Sequence, residues 1–244
     1  MRIALAAKGF INGDIHFNKG VIIETMIRLS NDADLVLFGE AFLQGFYGPT
    51  FDVEHDERLA ISREDIIIKE ICSVANKNKI AVSFGFIEKC KDCFYSSQIT
   101  IDSGGEVIDV YQRVSPGWKL PIANAKYCEG KSFHSFKYMN NRIVVGLCGD
   151  LWFDENIDKV KQLSPDIVFW PVYTDFNYEK WNTSVKCEYA ERADKMSGKV
   201  LYVNSVCKDK EKDEIARGGA VLFVDGKIRE EIPAGKEDVL IVDV

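Results

Sequence analysis

A chain of 244 residues with 46% apolar content is long enough to bury one sizeable core, and no linker, low-complexity segment or fixed-period repeat divides it, so a single domain over 1–244 is expected. With 38 acidic against 31 basic residues the formal charge is −7, which argues against a nucleic-acid partner. No run approaches the roughly 18 apolar residues of a membrane span, and the opening MRIALAAKGFINGD lacks the long apolar core and cleavage site of a secretory signal.

In chain order, RIALAA (2–7) reads as a first strand, and the Gly and Asn after it as a loop. From Asn18 a helical pattern places Val21, Ile22, Thr25, Met26 and Leu29 on one face, and the polar NDAD stops it. LVLF (35–38) is a short, wholly apolar strand that ends at Gly39 and Glu40. Ser62 with Asp65 three positions later predicts a capping box that opens a helix with Ile67, Ile71, Val74 and Ala75 on one face. Three strands follow at 80–87, 95–101 and 107–114, forming a meander.

KCKDC (89–93) lies between the first two of these strands and reads as a hairpin turn; one CxxC without a second pair or histidines is a weak metal signal, and no metal is assigned. The seven cysteines (Cys72, Cys90, Cys93, Cys128, Cys148, Cys187, Cys207) are an odd number scattered through a chain too large to need disulfide staples. They read as free, mostly buried thiols in a reducing cytoplasm. Residues 115–131 look irregular, and SFHSFKY turns at Asn140-Asn141 into RIVVGLCGDLWF (142–153). A short polar helix, a buried strand PDIVFWPV (165–172), a helical pattern between Tyr178 and Ser197, and strands at 200–206, 220–226 and 239–244 complete the chain. About a dozen strands alternating with helices favour two sheets packed face to face with helices outside.

Two stretches carry chemistry. RIVVGL delivers Cys148 to a sharp turn, where Gly149 relaxes the backbone and the following amides can face an oxyanion; a nucleophilic thiol needs such a strand end, with a base or a cation beside it. Glu40 ends LVLF in the same way, among Phe38, Phe42 and Phe46, as a general base would. Taken singly, each has a bland alternative: a packing cysteine and a solvated loop glutamate. Asp150 reads as a residue that orients the turn. Trp118, Trp152, Trp170, Tyr173 and Trp181 fall in or near these loops, as a pocket wall or as core. His16, His55 and His134 show no partner pattern, which disfavours a Cys-His dyad.

Together, LVLFGEAFLQGF, YQRV before a long loop, RIVVGLCGDLWFDE, PDIVFWPV and RGGAVLFVDGKI resemble the nitrilase superfamily, the carbon-nitrogen hydrolases, over nearly the whole chain. The resemblance implies an α/β fold, a four-layer α-β-β-α sandwich of two mixed sheets covered by helices. It implies that Glu40 is the base and that Cys148, in a C-x-D-x-x-F pattern completed by Asp150 and Phe153, is the nucleophile.

The family stabilises the oxyanion with the lysine of a Y-x-K motif, and here YQRV puts Arg113 at that position. Arginine keeps the charge but is bulkier, planar and always protonated. Lys119, on the same loop, is a second candidate cation. The family's additional glutamate maps to Asn124, or to Ala125 in a shifted register, because ANAKYCEGKSF looks like the family's aromatic-x-P-G stretch without its proline. Gly149, Trp152 and Tyr173 are expected with Asn124 on the substrate.

The implied activity is amidase-like cleavage of a small linear amide or carbamoyl compound through a thioester, without cofactor or metal. A nitrilase-fold binding or regulatory subunit without hydrolase activity, or an acyl transferase on the same scaffold, remains open. The resemblance also implies a homodimer through the helix at 178–197, and, since the chain stops soon after VLIVDV, no exchanged C-terminal tail.

Overall fold

Strands that are apolar at every position, without in-out alternation, need cover on both faces, and LVLF and IVFWPV are buried at every residue. The computed structural model describes residues 1–196, 198–209 and 215–244. The first half runs β1 (Arg2–Ala7), β2 (Gly9–Phe10), α1 (Ile15–Leu29), β3 (Leu35–Phe38), α2 (Val53–Leu59), α3 (Ile66–Asn78), β4 (Ala81–Cys90), β5 (Cys93–Ile101) and β6 (Val107–Gln112). The second runs β7 (Ser135–Tyr138), β8 (Asn141–Val145), α4 (Asp154–Gln162), β9 (Ile167–Val172), α5 (Tyr178–Lys180), α6 (Lys186–Asp194), β10 (Lys199–Asn204), β11 (Val206–Cys207), β12 (Ala220–Val224), β13 (Lys227–Ile232) and β14 (Asp238–Asp243).

One sheet has the order β14-β1-β3-β4-β5-β6 and the other β13-β12-β10-β9-β8-β7, and β2 pairs with β11 between them. The two are built alike. In the first, β1, β3 and β4 are parallel and the flanking strands antiparallel. In the second, β8, β9 and β10 are parallel and flanked in the same way. Ile3, Leu5, Leu35 and Leu37 share one core with Val145, Phe169 and Leu201, which places this core between the sheets. Ile22 and Met26 of α1 and Ile68 and Ile71 of α3 cover the outer face of the first sheet with Val36, Val82 and Phe84. On the second, Tyr189 and Ala193 of α6 are buried with Phe223 and Val221 of β12. The result is the α-β-β-α sandwich.

Several local expectations are corrected. The capping box at Ser62 does not form: the Asp65 carboxylate itself accepts from Ile67 N, while Ser62 Oγ accepts from Glu64 N. Its helix buries Ile68 with Ile71 and Ala75, so the apolar face is rotated from the predicted Ile67. The helix α2 and the strand β13 carry no apolar period and were not anticipated; α2 is VEHDERL and β13 KIREEI. The helix over Tyr178 to Ser197 forms as α5, a π-helical stretch Trp181–Val185 and α6, with Ser197 outside the described residues.

KCKDC does form a hairpin, with Cys90 facing Cys93, but the reading of free thiols throughout is wrong for one pair. Cys93 and Cys128 form a disulfide, with their Cα atoms 5.9 Å apart. The partner comes from the irregular 115–131 segment, which β5 holds through Phe94 N to Lys126 O (2.7 Å) and Cys128 N to Phe94 O (2.9 Å). Nothing in the local spacing announces that pairing.

Candidate active site

The parallel strands of both sheets end on the same cluster, the position at which open α/β sheets place their sites. β3 ends at Glu40, β8 leads through Gly146 and Leu147 to Cys148, and β9 ends at Tyr173 and Thr174. The sheets touch here: Glu40 N donates to Val172 O at 3.3 Å. Gly39 permits this approach, since a Cβ on it would lie 2.5 Å from Ser205 Oγ and 2.9 Å from Val172 O.

Two non-glycine residues at these strand ends have left-handed backbone angles, Ala41 at φ 51° and Cys148 at φ 42°. Such conformations cost of order 1–3 kcal/mol and persist only where surrounding contacts enforce them. At Cys148 those contacts are visible. Asp150, wholly buried, accepts Leu147 N (3.0 Å), Ser115 N (2.7 Å) and Tyr111 OH (2.7 Å), and Trp170 Nε1 donates to Cys148 O at 2.9 Å. Asp150 thus orients the turn, as expected.

Glu40 is fully buried, and its Oε1 accepts from Ser96 Oγ at 2.9 Å and from Arg113 Nη1 at 2.8 Å. Its Oε2 is also buried and has no hydrogen-bond partner among the described residues. Arg113 lies at the end of β6, 2% exposed, and its Nε donates to Ser115 Oγ at 3.0 Å. Burial works against its charge, but the surrounding Glu40, Cys148 and Asp150 outweigh it and hold the guanidinium protonated. Two glycines make room for it: a Cβ on Gly149 would stand 2.7 Å from Arg113 Nη2, and one on Gly117 2.9 Å from the same atom.

Burial pushes the Cys148 thiol up to about 12; the Glu40 carboxylate adds to the shift, and the Arg113 charge and a hydrogen bond from the backbone at Tyr173 pull the other way. Sγ itself donates to Tyr173 O at 3.4 Å, which favours the neutral thiol. The resting thiol is therefore protonated at neutral pH. It depends on a base at the moment of attack.

Of the anticipated residues, Glu40, Arg113, Cys148 and Gly149 converge. Tyr173 joins them through its backbone carbonyl, while its buried ring stacks on Phe46 at 4.4 Å. Trp152 packs edge-on to Tyr189 at 5.0 Å, in an aromatic cluster that includes Trp170, Tyr202 and Trp181. Lys119 is directed elsewhere: its Nζ donates to Tyr127 O at 2.9 Å and pairs with Glu129 at 2.5 Å. Asn124 is exposed, its Oδ1 accepting from Lys126 N at 2.9 Å, because a surface turn consumes the side chain. Ser96 and Ser115, which position Glu40 and Arg113, were missed: single serines in a strand and a loop carry no spacing signal. Tyr111 was more legible, two residues before Arg113 on the same face of β6.

Comparison with known proteins bears on the fold and the family. Among solved structures the fold is similar to an amidase of the nitrilase superfamily from Nesterenkonia AN1, with a TM-score of 0.80 at 20% identity over 100% of this chain and 90% of that one. In another structure of that amidase the acetamide moiety of fluoroacetamide is attached to its active site cysteine. It is also similar to a glutamine-dependent NAD+ synthetase from Acinetobacter baumannii, with a TM-score of 0.81 at 24% identity over 98% of this chain but 44% of that one. In sequence it is 23% identical over 239 residues to an (R)-stereoselective amidase from Pseudomonas sp, covering 98% of this chain and 82% of that protein. The molecule is therefore an α/β sandwich of the nitrilase class. The family model for carbon-nitrogen hydrolases matches residues 20–244, and the chain belongs to that family. It is a hydrolase acting on carbon–nitrogen bonds.

Proposed function

We propose that the protein cleaves a small linear amide or carbamoyl compound through a thioester on Cys148. The observation that carries this reading is the buried Glu40 Oε2, without a hydrogen-bond partner among the described residues, in a carboxylate whose charge is felt by the protonated Cys148 thiol. In the proposed first step Glu40 takes the thiol proton as Sγ attacks the carbonyl carbon. The tetrahedral oxyanion forms against the Arg113 guanidinium and the backbone amides near Gly149, groups fixed before the reaction and needing no reorganisation. Collapse expels ammonia or an amine, which takes its proton from Glu40. Water that gives its proton to Glu40 then attacks the thioester, releasing the acid and restoring the thiol.

The test is ammonia release over a panel of small amides, carbamoyl amino acids and nitriles, beside Cys148→Ala, with intact mass recorded to catch the acyl-enzyme. Turnover that vanishes in the variant supports the reading; no turnover and no adduct would favour a binding subunit. That second reading has its own motive, since the guanidinium of Arg113 is already engaged by Glu40 and Ser115. We also propose a homodimer through the face carrying α5 and α6, checked by light scattering at micromolar concentration, where a monomer would refute it.

A further inference from the structure

Three cysteines meet at the tip of one hairpin. Cys90 ends β4 and Cys93 begins β5, directly opposite each other across the two-residue turn Lys91-Asp92, where Lys91 takes the left-handed φ of 55° that such a turn requires. Opposite residues of an antiparallel pair point to the same face, with Cβ atoms about 4.5–5.5 Å apart. The bond from Cys93 to Cys128 therefore lies beside the Cys90 thiol, which is free. All three cysteines are half-buried and the turn itself is exposed, so the sulfur atoms lie at the surface rather than in a sealed core.

The disulfide fastens the 115–131 segment to β5. Phe94 N donates to Lys126 O and Cys128 N to Phe94 O, and Gly130 N then donates to Arg113 O at 2.8 Å. Between these bonds the ring of Tyr127 packs against Phe51, Phe94 and Trp118, and its hydroxyl donates to Asp56 at 2.8 Å. Further back in the segment stand Ser115 and Gly117, which border the Arg113 guanidinium. Cys128 is thus the covalent tether of a segment that reaches the candidate active site. A staple needs two cysteines, and the third one faces it.

We propose that Cys90, Cys93 and Cys128 form a thiol–disulfide relay, in which Cys90 displaces Cys128 from Cys93 and so unfastens the 115–131 segment from β5. The Cys90 thiolate attacks Cys93 Sγ and a sulfur–sulfur bond forms between them. The bond to Cys128 breaks, its electron pair leaves on Cys128 Sγ, and that sulfur takes up the equivalent of the proton Cys90 gave up. One thiol and one disulfide are present before and after, so no outside oxidant or reductant enters. Cys93 is the sulfur attacked because the hairpin fixes it opposite Cys90. The relay does not involve Cys148 and stands whatever amide the protein cleaves.

The experiment takes wild-type protein purified without reductant, incubates it with iodoacetamide at mildly alkaline pH, digests it without reduction and maps the peptides by mass spectrometry. The expected product carries alkylated Cys128 with Cys90 joined to Cys93, formed at a rate independent of protein concentration. In Cys90→Ser the Cys93–Cys128 bond should survive and labelling of Cys128 fall to background. Backbone hydrogen exchange at Phe94, Cys128 and Gly130 should be about 10-fold faster or more in the trapped wild-type product than in Cys90→Ser, since the tether no longer restricts local opening.

Alkylation of Cys90 alone with the Cys93–Cys128 bond intact, or labelling of Cys128 as great in Cys90→Ser, overturns the relay. So does a rate that rises with protein concentration, which would assign the attack to a second molecule. Unchanged exchange at the three amides overturns the unfastening, and recovery of all three cysteines as alkylated thiols overturns both.

Discussion

Gly149→Ala is a minimal substitution with a large expected effect, because the space beside Gly149 is already taken by Arg113. The added Cβ would stand 2.7 Å from Arg113 Nη2 and 3.4 Å from Ser115 Oγ, so the guanidinium must retreat by several tenths of an ångström. It has little freedom to do so, being held by Glu40 at 2.8 Å and Ser115 at 3.0 Å in a buried site. Overpacking of this kind costs about 1–3 kcal/mol, and here the displaced atoms are those proposed to meet the oxyanion. A misplacement approaching 1 Å costs on the order of 100-fold in rate, so kcat/KM for any amide the protein cleaves should fall about 10–100-fold. The backbone at 149 is not left-handed, so alanine adds no conformational strain of its own. The decisive comparison is a double-mutant cycle with Arg113→Lys, since a lysine ammonium has no atom at the position of Nη2. Gly149→Ala should cost far less when Arg113→Lys is already present, with a coupling above about 1 kcal/mol. Equal losses in both backgrounds would refute the account of Gly149 as room made for the arginine.

Arg113→Ala leaves the buried Glu40 carboxylate without its cation, and should cost about 3–5 kcal/mol of stability, read as a melting temperature lower by roughly 6–20 °C for a chain of this size. Because the Cys148 thiol is raised to about 12, its alkylation by iodoacetamide should keep rising with pH through the alkaline range; a plateau near pH 8.5, the value of an ordinary thiol, would contradict the burial argument. The Cys93–Cys128 disulfide spans 35 residues, for which loop entropy gives about 3–4 kcal/mol. Cys93→Ala should lower the melting temperature without reductant and change little in its presence, and an equal effect in both would show that the pair is not bonded in solution.

How much of this was legible follows from what kind of signal each part leaves. The sheets were readable because a strand covered on both faces must be apolar throughout, and LVLF, RIVV and IVFWPV have no other stable use. Glu40 and Cys148 were readable because a polar or reactive residue directly after such a run sits at a sheet edge where the chain turns. Edge elements left weaker traces: KIREEI is polar on both faces because it closes the second sheet beside solvent, and VEHDERL is a short helix held by its Asp52 cap, whose carboxylate accepts His55 N at 3.0 Å. The irregular 115–131 segment defeated sequence reasoning most. Cys128 is tied to β5 by a disulfide and a backbone bond, while Lys119 and Asn124 find partners within the segment itself, at Tyr127 O and Glu129 and at Lys126 N, and none of these contacts has a period.

Arg113, the proposed oxyanion cation where the sequence resemblance leads one to expect a lysine, makes physical sense only together with its neighbours. An arginine in place of lysine brings a wider head, and two positions beside it, Gly117 and Gly149, have no side chain to obstruct that head. It brings extra donors, and Ser115 accepts from one of them at 3.0 Å. It remains charged throughout, and the fully buried Glu40 balances it at 2.8 Å. A cation retained only as a relic would not need a second glycine opposite its terminal nitrogen or a hydroxyl aligned with its Nε. The fitted surroundings of the guanidinium, more than its charge, are therefore the argument that this site remains organised for chemistry.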